Sequence, residues 1–392
     1  MPKYKVRRII LMLDNSRAAD RGMIRGIMEY SHLRGQWSFY RYLPLFQRAP
    51  FSDQKSQDLI FRLKHFEADG IIGYLPDSRD LIERIIKKRF PTVAQPILEP
   101  IEGIVNILQD PQVGSIGADH LLERGLGHFA FCGTREYWSR IRQEGFCDQI
   151  AKNGQAVHIY PAERRSSTRD TQIRSIARWL RKLPLPIGIM ASNDERADQV
   201  VEACHLADLK IPDQAAILGV DNDEMICGLS NPPLSSIELN FSRVGYEAAE
   251  RIDQMISGQC IKPTKLYFHP TGIHTRQSTT LLAVNDPEVV QAVRFIRGNA
   301  RKNITVSDVV SETSSSRRTL QLRFRKALGR TIQEEIQKTR IEQIAHRLIH
   351  STQTIRQIAQ DLSFPDDNHF SRLFKRQMNM SPRQYRQRFG PK

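Results

Sequence analysis

The sequence predicts an α/β body built as two doubly wound subdomains, followed by an all-α domain with two helix-turn-helix motifs. Up to residue 283, short apolar runs alternate with amphipathic segments. From Pro287 onward the strand signals stop and each segment has helical spacing. Positive charge is concentrated in this last part. The sequence therefore divides into residues 1–283 and 284–392.

The body is predicted from its strand-like runs. Continuous apolar runs occupy residues 7–13, 69–75, 128–133, 186–192 and 215–221. Helix-like stretches lie between them at residues 17–33, 111–124, 137–152 and 194–207. Continuous apolar strands separated by helices indicate parallel sheets covered on both faces. Because roughly ten such strands are more than one twisted sheet readily holds, we expect two similar subdomains flanking a cleft.

Charge and composition separate the two parts. A chain of 392 residues with 40% hydrophobic content can bury more than one core, so two or three folded units are expected. Residues 286–392 carry 21 Lys and Arg against 10 Asp and Glu, a net charge of +11 that leaves +4 of the total +15 for the rest. A basic terminal domain on a nearly neutral body is typical of nucleic-acid binding, although charge alone leaves a merely cationic surface open.

The five cysteines are widely spaced, and none forms a C-x-x-C pair. We interpret them as reduced core residues, and we expect no metal, no cofactor and a cytoplasmic location. The chain starts with only five consecutive apolar residues after a basic lead, too few for a signal-peptide core. No run approaches the roughly 18 apolar residues that cross a bilayer, so no membrane contact is expected.

The basic domain contains one layout twice. Residues 306–329 and 354–378 each read as a short helix, a polar turn and a second helix with a basic outer side, which is typical of a helix-turn-helix. The segment between them predicts one helix of about 19 residues, roughly 28 Å long and close to the roughly 34 Å between successive major-groove faces. Ser381 and Pro382 predict the N-cap and first position of a closing helix.

This order resembles the AraC/XylS family of transcription regulators over residues 287–390. The specific part is residues 358–386, where IAQDLSF and NHFSRLFKRQMNMSPRQYR follow the signature of that family. Ser363 stands where the family usually has glycine, and Ser314 replaces a frequent glycine in the first copy. The resemblance implies a DNA-binding domain with two reading helices.

The exposed N-terminal parts of these two helices are expected to read bases, because Arg suits guanine and Asn or Gln suits adenine. The expected base-reading residues are Arg317, Arg318, Gln321, Asn368, His369 and Arg372. The expected phosphate contacts are Arg325, Lys375, Arg376 and Arg386. For any one of these residues, a solvated charge is the alternative.

The body resembles the sugar sensors of the LacI/ribose-binding-protein type, which have a periplasmic-binding-protein-like fold. The motifs that carry this resemblance are residues 105–133, RQEGF at 142–146, MASNDERADQVV at 190–201 and AAILGVDND at 215–223. Ordinary members begin with DNA-binding helices, whereas this chain starts at the first strand. A sugar-binding body fused to two C-terminal helix-turn-helices resembles the regulators of xylose operons. D-xylose is therefore the implied ligand.

Polar residues follow several predicted strands, where ligands bind in such sheets. Carboxylates, amides and a planar guanidinium can pair the many hydroxyls of a buried sugar. The resemblance makes Arg142 and Asp221 the strongest ligand contacts and Asn193 the next. Weaker candidates are Asp14, Asn15, Arg17, Asp20 and Asp77, since Asp and Asn at strand ends are often only helix caps. Trp138 could stack on the sugar or simply pack.

Together these features predict a sugar-responsive transcription regulator. We expect an activator of pentose catabolism genes that responds to D-xylose and acts as a homodimer with DNA and RNA polymerase. The alternatives are a regulator for another sugar, a transport receptor and a sugar-modifying enzyme. The missing signal peptide argues against the receptor. No P-loop, G-x-S-x-G or H-E-x-x-H motif occurs, and an enzyme would leave the basic tail unexplained.

Overall fold

A computed structural model of the protein describes residues 6–35, 37–42, 61–63, 65–75, 78–162, 168–259, 265–280, 286–364 and 366–390. The described chain forms two six-stranded sheets with helices around them, followed by a helical domain. This confirms the predicted fold class. The predicted boundary between residues 283 and 284 falls outside the described residues and stays a prediction.

The strands are numbered in chain order. They are β1 (Arg7–Met12), β2 (Trp37–Arg41), β3 (Gly70–Tyr74), β4 (Thr92–Gln95), β5 (Val105–Gln109), β6 (His128–Cys132), β7 (Val157–Ile159), β8 (Ile187–Ala191), β9 (Ala215–Val220), β10 (Ser235–Leu239), β11 (Lys265–Phe268) and β12 (Pro270–His274). The first sheet has the order β11-β5-β4-β3-β1-β2 and the second β12-β10-β9-β8-β6-β7. All described pairs are parallel except β10 with β12.

The helices of the body cover these sheets. They are α1 (Ala18–Arg34), α2 (Arg79–Lys87), α3 (Gln112–Leu122), α4 (Tyr137–Lys152), α5 (Arg169–Leu180), α6 (Asp194–Leu206), α7 (Glu224–Leu229) and α8 (Phe241–Ile256). Central strands such as β3, β8 and β9 are buried along their whole length, as expected when both faces are covered. We call the first sheet with its helices the first lobe and the second sheet with its helices the second lobe.

The chain passes between the two lobes three times, after β5, after β10 and after β11. The three crossing segments are hydrogen-bonded together. The His269 amide donates to Asn240 Oδ1 at 2.7 Å, and the Asn240 amide donates to the His269 carbonyl at 3.1 Å. The His269 ring nitrogen Nδ1 lies 2.5 Å from Asp110 Oδ2. These contacts form a compact hinge between the lobes.

The C-terminal domain consists of seven helices in the described chain. They are α9 (Pro287–Gly298), α10 (Val306–Ser311), α11 (Arg317–Leu328), α12 (Ile332–His350), α13 (Ile355–Asp361), α14 (Asp367–Met378) and α15 (Pro382–Phe389). Helix α12 runs unbroken for 19 residues, as predicted for the connector. Its N-terminal half packs in the core of the first motif through Ile332 and Ile336, and its C-terminal half packs in the core of the second through Ile344 and Leu348. Ser381 caps α15 and Pro382 opens it, also as predicted.

The two helix-turn-helix motifs differ in their turns. Ser363 has φ of 54°, so this serine takes the left-handed conformation that glycine usually supplies. The amide of Phe364 donates to the Ala359 carbonyl at 2.9 Å and closes the turn. In the first motif no residue from 312 to 316 has positive φ, and the Ser314 amide donates to Glu288 Oε2 at 2.7 Å. Ser314 therefore needs no left-handed backbone.

The C-terminal domain packs against the two lobes, together called the sensor, through helices α12 and α15. The Tyr385 hydroxyl donates to the Thr271 carbonyl of β12 at 3.3 Å, and the rings of His346 and His274 lie 5.0 Å apart. On the first lobe, Arg243 Nη1 donates to the carbonyl of Gln387 at 3.3 Å. Lys338 of α12 pairs with Glu123, which caps α3. Helix α15 therefore contacts both lobes beside the hinge.

Candidate functional site

The cleft between the lobes is lined by strand ends of the first sheet and by loops of the second. On the first lobe, β3, β4, β5 and β11 end in lining residues, which are Tyr74, Gln95, Gln109 and Phe268. The other lining residues are Arg17, Ala19, Trp138, Arg142, Asn193, Asp221 and Phe241. The enclosed cavity measures about 20 Å³, room for about one water molecule. A sugar therefore requires the lobes to move apart.

Arg142 is at the centre of this cleft and is 3% exposed. Its Nε donates to Gln109 Oε1 at 3.0 Å, its Nη1 to the Ser192 carbonyl at 2.5 Å and its Nη2 to Asp221 Oδ1 at 3.0 Å. The Trp138 ring centroid lies 5.1 Å from the guanidinium carbon, within cation–π range. Because Gln109 belongs to the first sheet, Arg142 joins the two lobes.

Close helix packing fixes the position of Arg142. A Cβ on Gly145 would lie 2.0 Å from the Pro111 carbonyl oxygen, and a Cβ on Gly114 would lie 2.1 Å from the carbonyl oxygen of Arg142. Only glycine permits this approach of α3 and α4. The glycine of the RQEGF motif thus has a structural role in holding Arg142 in the cleft.

Asp221 follows β9 in a strained turn, with φ of 102° at Asp221 and 49° at Asn222. Below it, the buried Asp194 accepts hydrogen bonds from the Ser236 hydroxyl at 2.5 Å and from the Asp223 amide at 2.7 Å. Burial raises the pKa of Asp221, while the neighbouring Arg142 lowers it. A half-buried carboxyl group held beside a guanidinium is well suited to pair with sugar hydroxyls.

Asn193 both caps a helix and lines the cleft. Its Oδ1 accepts the Arg196 amide at 3.0 Å and so caps α6. Arg17 also lines the cleft, and its guanidinium pairs with Glu195 of the second lobe, with Nε 3.3 Å from Oε1. Arg21 and Asp223 form a similar pair across the lobes at 2.7 Å.

The other predicted ligand residues lie outside the cavity lining. Asp14 Oδ1 accepts the Ser16 amide at 3.0 Å, and Asn15 pairs with Arg41. Asp20 is fully buried under the first strand end and accepts the Asp14 amide at 2.7 Å. Burial raises its pKa to about 7. Their role as ligand contacts stays a prediction, and Asp77 lies outside the described residues.

Sequence reasoning missed Tyr74, Gln95 and Gln109. Each is the last residue of its strand, so the same rule that ligands bind at the carboxyl ends of strands would have found them. The signal was present, because Pro96 directly follows Gln95, and Asp110 and Pro111 directly follow Gln109. Trp138, left open between stacking and packing, contacts Arg142 and lines the cavity.

A second candidate surface is formed by helices α11 and α14. Leu320 and Phe324 of α11 and Phe370 and Phe374 of α14 face the core. The predicted DNA contacts of both helices are exposed, namely Arg317, Arg318, Gln321, Arg325, Asn368, His369, Arg372, Lys375 and Arg376. Arg386 differs, because it is half-buried and donates to the Leu348 carbonyl at 3.1 Å. It joins α15 to α12 instead of facing outward.

Comparison with known proteins assigns a family to each of the two parts of the chain. Residues 118–279 match the periplasmic binding protein-like domain family, and residues 309–388 match the helix-turn-helix domain family. In the described chain, no helix is long and apolar enough to cross a membrane.

Two relatives of the same name cover most of the chain. The xylose operon regulatory protein of Haemophilus influenzae is 31% identical over 273 residues, covering 68% of this chain and 70% of the relative. The protein of the same name from Escherichia coli K12 is 27% identical over 399 residues, covering 97% of each.

Solved structures match the fold of this chain. A structure described as a xylose-binding transcription activator matches 99% of this chain and all of its own, with a TM-score of 0.57 and 25% identity. A LacI-type protein from Alkaliphilus metalliredigens complexed with D-xylulofuranose matches 70% of this chain and 99% of its own, with a TM-score of 0.58 and 20% identity, which shows the fold alone. The chain belongs to the family of xylose operon regulatory proteins and is a DNA-binding transcription regulator with a sugar-sensor fold.

Proposed function

We propose that the protein is an activator that binds D-xylose between its two lobes and couples that binding to promoter recognition. The observation that carries the proposal is Arg142, a buried guanidinium that contacts Gln109 of one lobe and Asp221 of the other. A polyol placed there can replace these contacts with hydroxyl hydrogen bonds. The relatives named for the xylose operon support this choice of sugar.

The contacts of the C-terminal domain support a route for the response. Helix α15 touches the first lobe through Arg243 and the second through Thr271. A change in the angle between the lobes therefore moves the two surfaces that α15 contacts, and it changes the position of the reading helices relative to the lobes. The sugar can shift this equilibrium only by binding one arrangement more tightly than the other.

We further propose that the regulator acts as a homodimer in the cytoplasm, recruits RNA polymerase and catalyses no reaction on the sugar. The paired reading motifs on one stiff connector support DNA binding as the output. Analytical ultracentrifugation of the intact protein with promoter DNA tests the dimer. A monomer on DNA, or turnover of D-xylose by the purified protein, would contradict these points.

The division of labour between the two surfaces is testable by substitution. We expect Asp221→Ala to abolish the sugar response and to leave DNA binding intact, because Asp221 lines the cleft. We expect Arg318→Ala or Asn368→Ala to weaken DNA binding by about 5-fold or more, since each good base contact contributes about 1 to 3 kcal/mol, and to leave sugar binding intact. Calorimetry with D-xylose and DNA-binding titration measure the two functions.

Asp213→Ala is the matched control, because Asp213 is an exposed carboxylate on a different loop of the second lobe. The same loss pattern in Asp221→Ala and Arg318→Ala would contradict the division. A screen of pentoses and hexoses by thermal shift tests the sugar, because a bound ligand raises apparent stability by mass action. Binding of another sugar but not D-xylose would overturn the assigned effector and leave the DNA-binding assignment standing.

A further inference from the structure

The first reading helix carries an exposed leucine on its outer side. Leu322 is 65% exposed, although the other large apolar residues of its helix pack on the core, Leu320 and Phe324 fully buried and Leu328 partly buried. Leu322 is two residues from both Leu320 and Phe324. At 3.6 residues per turn this places it opposite the core. Leu322 therefore stands near the centre of the face directed to solvent.

Its neighbours on that face are the proposed DNA contacts. Arg318 lies four residues before Leu322 and Arg325 three residues after it, so both flank it on the helix surface. Single exposed leucines are ordinary on protein surfaces. A leucine between two arginines on a reading helix is different, since the major groove presents one apolar group at a base edge, the C5 methyl of thymine.

The second reading helix provides an internal comparison. Phe370 and Phe374 face the core of the second motif with the same four-residue spacing as Leu320 and Phe324. The N-caps Ser316 and Asp366 precede these core residues by the same number of positions. In this alignment Leu322 corresponds to Arg372, which is also exposed. The two motifs thus place different chemistry at one equivalent position.

We propose that Leu322 reads a thymine methyl group in the half-site under α11, whereas Arg372 occupies the equivalent place in the half-site under α14. The inference rests on the proposed use of α11 as a reading helix. It adds one recognised base, a thymine, to the contacts proposed for that helix. It makes the two half-sites chemically unlike. The first requires thymine at its centre, and the second presents hydrogen-bond acceptors to a guanidinium.

The test uses DNA duplexes selected from a random library by the intact wild-type protein. Each thymine of the enriched site is then replaced in turn by uracil, which lacks the methyl group. Affinities are measured at one fixed salt concentration for the wild type and for Leu322→Ala. We expect one uracil substitution in the α11 half-site to weaken wild-type binding by about fourfold, the value for one buried methyl-sized group, and to have no effect on Leu322→Ala.

Leu229→Ala is the matched control, since Leu229 is 84% exposed on α7 of the sensor. It should retain the uracil sensitivity of the wild type. Equal sensitivity in Leu322→Ala would overturn the inference. A second result would also overturn the inference. If Leu322→Ala keeps its DNA affinity and base preference but loses promoter activity, the leucine contacts RNA polymerase instead of DNA.

Two further variants separate this inference from the proposed function. If Arg318→Ala and Asn368→Ala lose affinity while Leu322→Ala keeps full uracil sensitivity, only the role of Leu322 fails. If the wild type enriches no sequence, or both of those variants bind like the wild type, the DNA-reading function fails and the inference with it.

Discussion

Ser363 shows how one residue can take a conformation that its side chain disfavours. Its φ of 54° costs a non-glycine residue roughly 1 kcal/mol. We expect Ser363→Gly to increase the free energy of unfolding by about 0.5 to 1 kcal/mol, as measured by urea denaturation. Ser314→Gly is the matched control, because its backbone has no positive φ and the added freedom of the unfolded chain should lower stability. A gain in both variants would contradict this explanation.

Asp20 should make stability depend on pH in an unusual direction. Burial raises its folded-state pKa to about 7, above the 3.8 of an ordinary aspartate, with Asp14, Arg17 and Tyr74 as its charged or polar neighbours. The folded state therefore retains a proton that the unfolded chain loses, and stability falls as pH rises from about 4 to about 7. Asp20→Asn should remove this slope. Thermal melts of both proteins across that range measure it, and equal slopes would contradict the assignment.

The predictability of the cleft differs between residues. Arg142 and Asp221 were identified because their motifs resemble those of known sensors, and the structure brings both to the cleft. Asp14, Asn15 and Asp20 come after a strand as well, but Asp14 accepts the Ser16 amide, Asp20 accepts the Asp14 amide and Asn15 pairs with Arg41 of β2. The position of a residue in the sequence does not determine the direction of its side chain at the end of a strand.

At the scale of elements, strands within continuous apolar runs were predictable. The edge strands were not, and neither were the buried strands β4, β5 and β10, whose sequences include polar residues. The runs that became β1, β3, β6, β8 and β9 are continuously apolar because both of their faces are covered. The edge strands β2, β7, β11 and β12 are partly exposed, so their sequences carry no such run. The connector α12 was predictable for a related reason. Its apolar residues repeat with helical spacing because it packs in two successive cores.

Helix α15 is the element that links the sensor to a reading helix. The Tyr385 ring packs against Phe374 of α14 with centroids 5.2 Å apart, while its hydroxyl donates to the sensor at Thr271. We expect Tyr385→Phe to keep the affinity for D-xylose and to reduce the effect of the sugar on DNA affinity, because the Thr271 carbonyl loses its donor. DNA titrations with and without sugar measure this effect.

Arg243→Ala removes the corresponding contact with the first lobe, at the Gln387 carbonyl, and serves as the comparison. If α15 senses the angle between the lobes, both variants reduce the effect of the sugar. An unchanged sugar effect in Tyr385→Phe would exclude this hydrogen bond from the coupling.

At the scale of the whole molecule, the way in which the domains meet was not predictable. Lys338 with Glu123 and Tyr385 with Thr271 join residues that are far apart in sequence. Such pairs leave no periodic pattern in the sequence. A surface lysine has the same sequence signal whether it is solvated or paired with a carboxylate. The predicted fold class is therefore confirmed, while the arrangement of the domains comes from the structure.

The three crossings between lobes restrict how this protein can be recombined. Since β11 returns to the first sheet and β12 to the second, each lobe is completed only by the last strands of the sensor. A truncation after β10 would strip an edge strand from both sheets at once. Chimaeras that graft a new specificity onto these reading helices must therefore exchange the sensor as one indivisible block that extends through β12.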